Sequence, residues 1–250
     1  MPAVSFTGLE TMPEVGRGDD LAALIAAAAA RESYVWSNGS IVVVAQKIVS
    51  KSEGQVVDLR TVVPTAEAVA MALELGRDAR LVSVILGESR RVVRKQRGVL
   101  IVETHHGWSC ANAGVDQSNV PDEDSVTLLP RDPDRSAERL RLGLLALGVP
   151  VGGVVISDTF GRPWRNGLAN VAIGVAGIAP LEDYRGRHDR HGRLLKGTVI
   201  AVADELASAA ELLMGKDAGI PVVVVSGLHL KNASGAALEL IRPQEEDLFR

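Results

Sequence analysis

The chain has very little of three things that often define the class of a protein: cysteine, aromatic side chains and long apolar runs. Its 250 residues include one cysteine, Cys110, which excludes an internal disulfide and a metal site with several cysteine ligands. Aromatic residues make up 3% of the sequence, so Val, Ala, Leu and Ile must build the core. No apolar stretch reaches the roughly 20 residues that span a membrane.

The charge of the chain also excludes a class of partner. A formal net charge of −4 provides no polycationic surface, so nucleic acid is not expected as a main partner. The first 20 residues lack the pattern of a secretory signal, and we therefore expect a soluble cytoplasmic protein with no membrane partner. A hydrophobic content of 46% is sufficient for one large domain with its own core.

Alanine-rich and valine-rich runs alternate along the sequence and predict a mixture of helices and strands. Helices are predicted at 19–33, after the cap Thr65, at 136–147 and, following a short strand, within 198–216. Strands are predicted at 41–45, 81–86, 99–104 and 221–228, and interleaved valines predict another at 90–97. One domain is expected over 1–250, with two halves that meet near residue 150.

The run 154–170 ends a buried strand with an unusual set of polar side chains. The apolar residues are followed by Ser157, Asp158, Thr159, Arg162, Trp164, Arg165 and Asn166. Hard divalent cations prefer carboxylate and hydroxyl oxygens, and Arg side chains form planar forks that match carboxylates and phosphates. The composition indicates a site for a metal and an anion, with a capped surface loop as the alternative.

Two further polar segments, 46–54 and 105–119, follow or interrupt strand-like runs and are interpreted as loops. If they converge with 157–170, they bring together a point cation and several oxygen ligands: Lys51, Asp116, Asn119, Asp158 and Thr159. Such a set suits phosphoryl transfer, in which positioning and charge neutralisation provide most of the catalysis. For each residue taken alone, a surface or loop-capping role is the alternative.

Familiar nucleotide and zinc motifs are absent from the sequence. Neither G-x-x-x-x-G-K-[ST] nor G-x-G-x-x-G after a strand occurs, so a nucleotide would have to be held in another way. His105, His106 and Cys110 lie close together, but no second cluster completes a set of four zinc ligands. Cys110 is interpreted as a small buried thiol in a ligand-binding loop.

Five ordered strings resemble the coenzyme F420-0:L-glutamate ligases, also called γ-glutamyl ligases, over nearly the whole chain. They are MPEVGRGDDL, VVVAQKIVSKSEG, GWSCANAGVDQSNV, VVISDTFGRPWRNGLANVAIGVAG, and VIAVADELASAAELLMGK with PVVVVSGL. The resemblance implies an α+β fold of two mixed α/β subdomains in an intertwined homodimer. It implies an enzyme that uses GTP to join L-glutamate to coenzyme F420-0 through an acyl phosphate, and then adds further γ-linked glutamates.

The same resemblance assigns roles to individual residues. The residues expected to contact GTP are Met12, Pro13, Glu14, Val15, Gln46, Lys51 and Asn119. Asp116 and Asp158 are expected to hold one Mg²⁺ or Mn²⁺ ion and Thr159 to help with a second, with K⁺ as a further cation. Catalytic roles are carried over to Lys51, Asp116 and Asp158.

Two positions depart from the family pattern. Lys216 stands where some archaeal relatives have a glutamine that serves a metal, and a charged lysine cannot be a ligand. Gln46 stands where some relatives have a small hydroxyl residue. The end of the chain is similar to the junction at which actinobacterial bifunctional versions continue into a second domain. A stand-alone ligase and an N-terminal half therefore both remain open.

The acceptor site is inferred from chemistry alone. Arg162 and Arg165 are interpreted as a clamp for a carboxylate or phosphate of the acceptor. Two alternatives to the F420 reaction stay open at this point: a GTP-dependent amide ligase that acts on another carboxylate acceptor, and a nucleotide-binding protein without turnover.

Overall fold

The computed structural model describes residues 2–118, 122–228, 230 and 233–247. Its helices are α1 (Leu21–Arg31), α2 (Gln46–Ser52), α3 (Ala66–Leu75), α4 (Ala79–Gly87), α5 (Pro133–Ala146) and α6 (Val202–Met214). Its strands are β1 (Ser5–Gly8), β2 (Ser40–Ala45), β3 (Val56–Asp58), β4 (Ser89–Gln96), β5 (Val99–Thr104), β6 (Ser109–Ala111), β7 (Ser125–Thr127), β8 (Val151–Arg162), β9 (Arg165–Ala176), β10 (Glu182–Asp183), β11 (Val199–Ile200) and β12 (Val222–Ser226). This mixture of helices and several sheets agrees with the expected α+β class.

A five-stranded sheet with the order β1-β12-β2-β8-β9 forms the centre of the fold. Three of its four strand pairings are antiparallel, whereas β2 and β8 run parallel, with Ala45 opposite Ser157. The sheet therefore combines strands from both ends of the sequence. Its valine-rich strands are buried along most of their length because helices cover both faces.

The alternation of side chains along these strands divides the core into two clusters. Val42, Val44 and Ile156 point to one face, where they pack with residues of α1 and α5 such as Ile25 and Leu144. Ile41, Val43 and Val155 point to the other face and pack with residues of α6 such as Leu206 and Ala210. The small alanine side chains of α1 and α6 allow these helices to lie close to the sheet.

A third cluster stabilises a smaller unit formed by 56–128. There α3 and α4 pack against the sheet β4-β5-β6 and the pair β3-β7, with a core that includes Leu59, Leu81, Ile85, Leu100 and Val126. The strands predicted at 90–97 and 99–104 are confirmed as the antiparallel pair β4 and β5.

The strand predicted at 81–86 is wrong, because this segment lies in α4. Its apolar residues Leu81, Val82 and Ile85 are buried on one helical face, and the side chain of Asp78 caps the helix by accepting from Arg80 N. Two of the three predicted loops are also corrected. Residues 46–52 form α2, and 157–170 belong largely to the hairpin of β8 and β9.

The four predicted helices are confirmed as α1, α3, α5 and α6, and local chemistry explains where three of them begin. Asp20 accepts from Ala22 N and Ala23 N at the start of α1, and Thr65 accepts from Ala68 N at the start of α3. Asp132 caps α5, with Pro133 in its first turn. Among the described residues, no helix has the length and apolar character needed to cross a membrane.

Close contact between α5 and β9 predicts a stability defect for Gly174→Ala. A Cβ atom at Gly174 would lie 2.5 Å from Pro133 O and 2.6 Å from Pro133 C, which are backbone atoms that cannot rotate away. We expect the substitution to lower the free energy of unfolding by about 1–3 kcal/mol in urea titrations, as overpacking does. Gly161→Ala in β8 is the matched control, because its nearest neighbour would be Leu168 Cδ2 at 3.9 Å. Equal urea midpoints for both variants would contradict this packing.

Candidate active site

The site begins where the two parallel strands of the central sheet end. The carboxyl ends of β2 and β8 lie at the same edge, because Ala45 is opposite Ser157. Helix α2 starts immediately after β2 at Gln46, and Asp158 immediately follows Ser157. The pairing therefore brings the start of α2 beside Asp158, although more than 100 residues separate them in sequence.

Asp116 reaches this edge from the smaller unit and is fixed by several partners. Its backbone pairs with Thr127, and its carboxylate accepts from Ser118 N at 2.7 Å and Ser118 Oγ at 2.9 Å. Lys47 Nζ of α2 lies 2.8 Å from Asp116 Oδ2 and also donates to Ser118 O. Burial alone would raise the pKa of Asp116, but the Lys47 ammonium and the Ser118 donors hold it below its usual value.

Asp158 has the opposite electrostatic environment. Burial and the negative charge of Asp116 raise the pKa of Asp158 to about 6, although the backbone N–H of Thr159, Lys216 and Lys47 act against this rise. The mutual influence of Asp116 and Asp158 supports the convergence expected from the sequence. Asp158 also lies near Cys110: burial first, and then the charge of Asp158, raise the pKa of the Cys110 thiol to about 12. This thiol is therefore protonated and inert at neutral pH.

Thr159 is part of a polar network across the hairpin of β8 and β9. Its hydroxyl donates to Asn170 Oδ1 at 2.6 Å, and Asn170 Nδ2 donates to Ser157 Oγ at 3.4 Å. Lys216 Nζ donates to Thr159 Oγ1 at 2.5 Å. Asn170 is buried, so its amide fixes the orientation of the Thr159 hydroxyl from inside the protein.

Two helix carboxylates hold an irregularity in β9 just beside the site. Ile156 is opposite Gly174 and Ser157 is opposite Ala172, so Ile173 is an extra residue that forms a β-bulge. Asp204 of α6 accepts from Ala172 N, and Asp134 of α5 accepts from Val175 N, on either side of the bulge. Burial raises the pKa of Asp204 and of Asp134. The bulge sets the register of the β8–β9 pairs that follow it, in which Asp158 is opposite Val171 and Thr159 is opposite Asn170.

The residues expected to contact a nucleotide lie on the α2 side of the site. Lys51 is nearly buried, with 10% of its side chain exposed, and its ammonium donates to Glu14, whose side chain is 82% exposed. Val15 is buried and Met12 packs on the core, whereas Pro13 is exposed. Gln46 is buried and accepts from Ser50 Oγ at 2.8 Å. Asn119 lies outside the described residues.

The two arginines expected to clamp an acceptor lie at the tip of the long hairpin. Arg162 is opposite Arg165, both side chains are exposed, and Arg162 Nη2 donates to Asn166 O at 2.9 Å. Between them Trp164 adopts a φ of 57°, a left-handed conformation that is uncommon outside glycine. The structure thus places both guanidiniums on the same tip as 78% exposed Trp164.

The donor atoms present fit one hard divalent cation better than a zinc ion. Within the described part of the chain, no group of three His, Cys, Asp or Glu side chains could hold a metal. Asp116, Asp158 and the Thr159 hydroxyl instead offer two carboxylates and a neutral oxygen. Mg²⁺ is commonly bound by one or two carboxylates, with waters and substrate phosphates as the remaining ligands. His105 and His106 each contact backbone carbonyl oxygens through Nε2.

Sequence reasoning missed two residues of this site, Lys47 and Asn170. Lys47 is the residue after Gln46 in a segment that was interpreted as a loop, and its role depends on the helical conformation of α2. Asn170 lies 11 residues after Thr159, and only the hairpin register brings them together. The turn-forming residues in the middle of the 157–170 segment, Pro163 and Asn166-Gly167, were the signal that could have indicated a hairpin.

A family model and several relatives match almost the whole chain. The model described as F420-0:Gamma-glutamyl ligase matches residues 10–227. The coenzyme F420:L-glutamate ligase of Methanothermobacter thermautotrophicus is 46% identical over 251 residues, which cover 99% of each chain. The protein of the same name from Methanopyrus kandleri is 44% identical over 256 residues, 100% of this chain and 99% of its own. That of Archaeoglobus fulgidus is 41% identical over 243 residues, covering 97% and 94%.

The raised pKa of Asp158 predicts a pH-dependent cost to stability in the metal-free protein. An unfolded Asp ionises near pH 3.8, whereas the folded Asp158 ionises near pH 6. The free energy of unfolding therefore falls as the pH rises from 3.8 to about 6. Above pH 6 the full cost of about 3 kcal/mol applies. In EDTA, Asp158→Asn should unfold at higher urea than the wild type at pH 7.5, with a smaller difference at pH 4.5.

Asp58→Asn provides a control of opposite sign. The side chain of Arg60 holds the pKa of Asp58 below its usual value, so neutralising Asp58 should not stabilise the protein at pH 7.5. A difference between Asp158→Asn and wild type that does not change with pH would contradict the raised pKa.

Proposed function

Because this chain belongs to the F420-0:gamma-glutamyl ligase family, we propose that it joins L-glutamate to coenzyme F420-0 through an amide bond and then adds further γ-linked glutamates. The relatives that match over nearly their full length are named coenzyme F420:L-glutamate ligases, which form carbon–nitrogen bonds. GTP is proposed as the energy source. The observation that carries the proposal is the meeting of Asp116, Asp158 and Lys47 at the end of β2 and β8.

The carboxylate pair supports a divalent cation as part of the reaction centre. The pKa of Asp158 is raised because burial and the charge of Asp116 oppose a second negative charge. A divalent cation between the two carboxylates would remove that cost, so the donor set fits Mg²⁺ or Mn²⁺. When bound, such an ion neutralises phosphate charge and orients phosphate oxygens. K⁺ and the contribution of Thr159 to a second ion stay predictions of the family resemblance.

Lys51 and the segment 12–15 support a nucleotide site next to the carboxylates. Lys51 is a nearly buried ammonium whose carboxylate partner, on Glu14, is largely exposed. Glu14 can therefore move away and leave the ammonium for phosphate oxygens, which bind lysine as a point charge. Lys47 is held at the start of the same helix and adds a second positive charge. The same surface would contact Met12, Pro13, Val15, Gln46 and Asn119.

The proposed chemistry has two steps. A carboxylate oxygen of the acceptor attacks the γ-phosphorus of GTP, and the bond to the bridging oxygen breaks, giving an acyl phosphate and GDP. The amino group of glutamate then attacks the acyl carbon, phosphate leaves with the electron pair of the carbon–oxygen bond, and the nitrogen loses a proton. Lys51 and Lys47 would offset the charge of the transferring group.

A homodimer is supported by apolar side chains at the tip of the long hairpin. Trp164, in the turn between β8 and β9, is 78% exposed, and Leu168 on β9 is 66% exposed. Large apolar side chains grouped on one surface are typical of protein contacts. We therefore place the proposed dimer contact at this tip.

Mass spectrometry of reaction products tests the proposed activity and its cation site. Purified protein given F420-0, L-glutamate, GTP and Mn²⁺ should yield products heavier by whole glutamate residues. Asp158→Asn should lower the rate by roughly 100-fold or more, as loss of a group that neutralises charge in the transition state does. Asp58→Asn, at the end of β3 in the smaller unit, should remain active.

The other outcomes of this assay separate the alternatives. GTP cleavage with glutamate but only with a different carboxylate acceptor would favour a ligase of other specificity. GTP binding without cleavage under any of these conditions would favour a nucleotide-binding protein without turnover. Product formation that does not change in Asp158→Asn would contradict the cation site but not the ligase activity.

The acceptor clamp leads to a separate prediction for Arg162→Ala and Arg165→Ala. Each substitution should raise the KM for F420-0 or lower kcat by about 10-fold or more, since a hydrogen bond to a charged group contributes about 1.5–3 kcal/mol. The KM for GTP should change little. Arg60→Ala removes a guanidinium from the smaller unit and is the matched control. Unchanged steady-state kinetics for both hairpin variants would contradict the clamp.

A further inference from the structure

Lys216 occupies a defined position at the edge of the carboxylate pair. It follows the end of α6 after Gly215, and its ammonium donates to Thr159 Oγ1 at 2.5 Å and lies 3.1 Å from Glu211 Oε1. Its positive charge also acts on Asp158. Although 64% of the Lys216 side chain is exposed, these two oxygen contacts hold its ammonium at the Thr159 side of the site, whereas Lys47 lies on the Asp116 side.

The hydroxyl group of Thr159 is oriented to accept a cation. Its own hydrogen points to Asn170 Oδ1, because a carbonyl oxygen can only accept. The buried Asn170 is in turn held by Ser208 Oγ, which donates to Asn170 O at 2.7 Å. The lone pairs of Thr159 Oγ1 therefore face away from Asn170, and the cation that meets them is the Lys216 ammonium.

A second divalent ion on Thr159 does not fit this arrangement. An ion ligated by Thr159 Oγ1 would lie at the place of the Lys216 ammonium or within a few ångströms of it, where two positive charges repel strongly. The ammonium itself has three donors and no lone pair to offer as a ligand.

Building on the proposed function, we propose that the Lys216 ammonium is the fixed cation on the Thr159 side and that the site takes one divalent ion, between Asp116 and Asp158. Lys216 then places a positive charge beside the transferring phosphoryl group. A second metal ion would otherwise provide that charge. The phosphoryl group would lie between the bound ion and Lys216.

Counting Mn²⁺ by electron paramagnetic resonance tests this assignment without relying on turnover. With one equivalent of guanosine 5′-(β,γ-imido)triphosphate, wild type and Lys216→Arg should bind one Mn²⁺ per chain with an uncoupled spectrum. Lys216→Gln replaces the ammonium with an amide oxygen and should bind two. Metal pairs in proteins lie about 3.5–4 Å apart, so the two ions should show spin coupling. Lys95→Gln, which removes a lysine of β4 that pairs with Glu74 of α3, should behave as wild type.

Kinetics gives a second readout. The initial rate of the wild type should saturate with Mn²⁺ as for a single ion, whereas the rate of Lys216→Gln should fall by roughly 100-fold at low Mn²⁺ and recover partly at high Mn²⁺. Lys216→Arg should stay within about 10-fold of wild type because it keeps the charge.

Each remaining result would overturn the assignment. Two coupled ions in the wild type would show that Lys216 does not take the second position. One ion in both wild type and Lys216→Gln would show that Lys216 is not what excludes a second ion. If the wild type binds no Mn²⁺ while it still forms glutamylated product, the proposed cation site fails and the proposed ligase activity does not.

Discussion

The parallel pairing of β2 and β8 is the constraint on which the rest of the site depends. Parallel strands end at the same edge of a sheet, so Gln46 and Asp158 begin their polar segments side by side. A parallel pair also needs a long connection, and here the connection between the two strands includes the smaller unit that carries Asp116. One pairing thus explains why ligands separated by more than 40 residues can share a site.

Charge balance is the second physical feature of the site. Lys47 and the Ser118 donors keep Asp116 ionised, while burial and Asp116 together favour the protonated form of Asp158. The two carboxylates therefore ionise in different pH ranges before a cation arrives. Binding of a divalent cation would displace the proton of Asp158, which links metal affinity to pH across the range near pH 6.

Much of the fold follows from local sequence, and the errors have identifiable causes. Alanine-rich runs with Asp20 or Thr65 as caps predict α1 and α3 correctly, because propensity and capping agree there. A strand was predicted at 81–86 because three of its six residues are β-branched. The prediction fails because Asp78 caps the segment and its buried side chains repeat at helical spacing. Tertiary packing therefore outweighed strand propensity.

Part of the candidate site was also predictable from local sequence. Asp116, Asp158 and Lys51 have side chains whose chemistry is visible wherever they lie, and sequence reasoning selected them. Lys47 and Asn170 have ordinary local surroundings, and their contacts exist only after α2 has formed and β8 has paired with β9. Long-range register cannot be read from a single sequence, since a shift of one residue turns every side chain to the other face.

Helix α6 connects register and charge in a single element. Asp204 accepts from Ala172 N, Ser208 donates to Asn170 O one turn later, and Lys216 reaches Thr159 beyond the end of the helix. These three contacts attach to one stretch of the hairpin, so the position of the Lys216 ammonium depends on the same docking that fixes the β-bulge. A shift of α6 along the sheet would therefore change both the backbone register of the hairpin and the position of the positive charge beside Asp158.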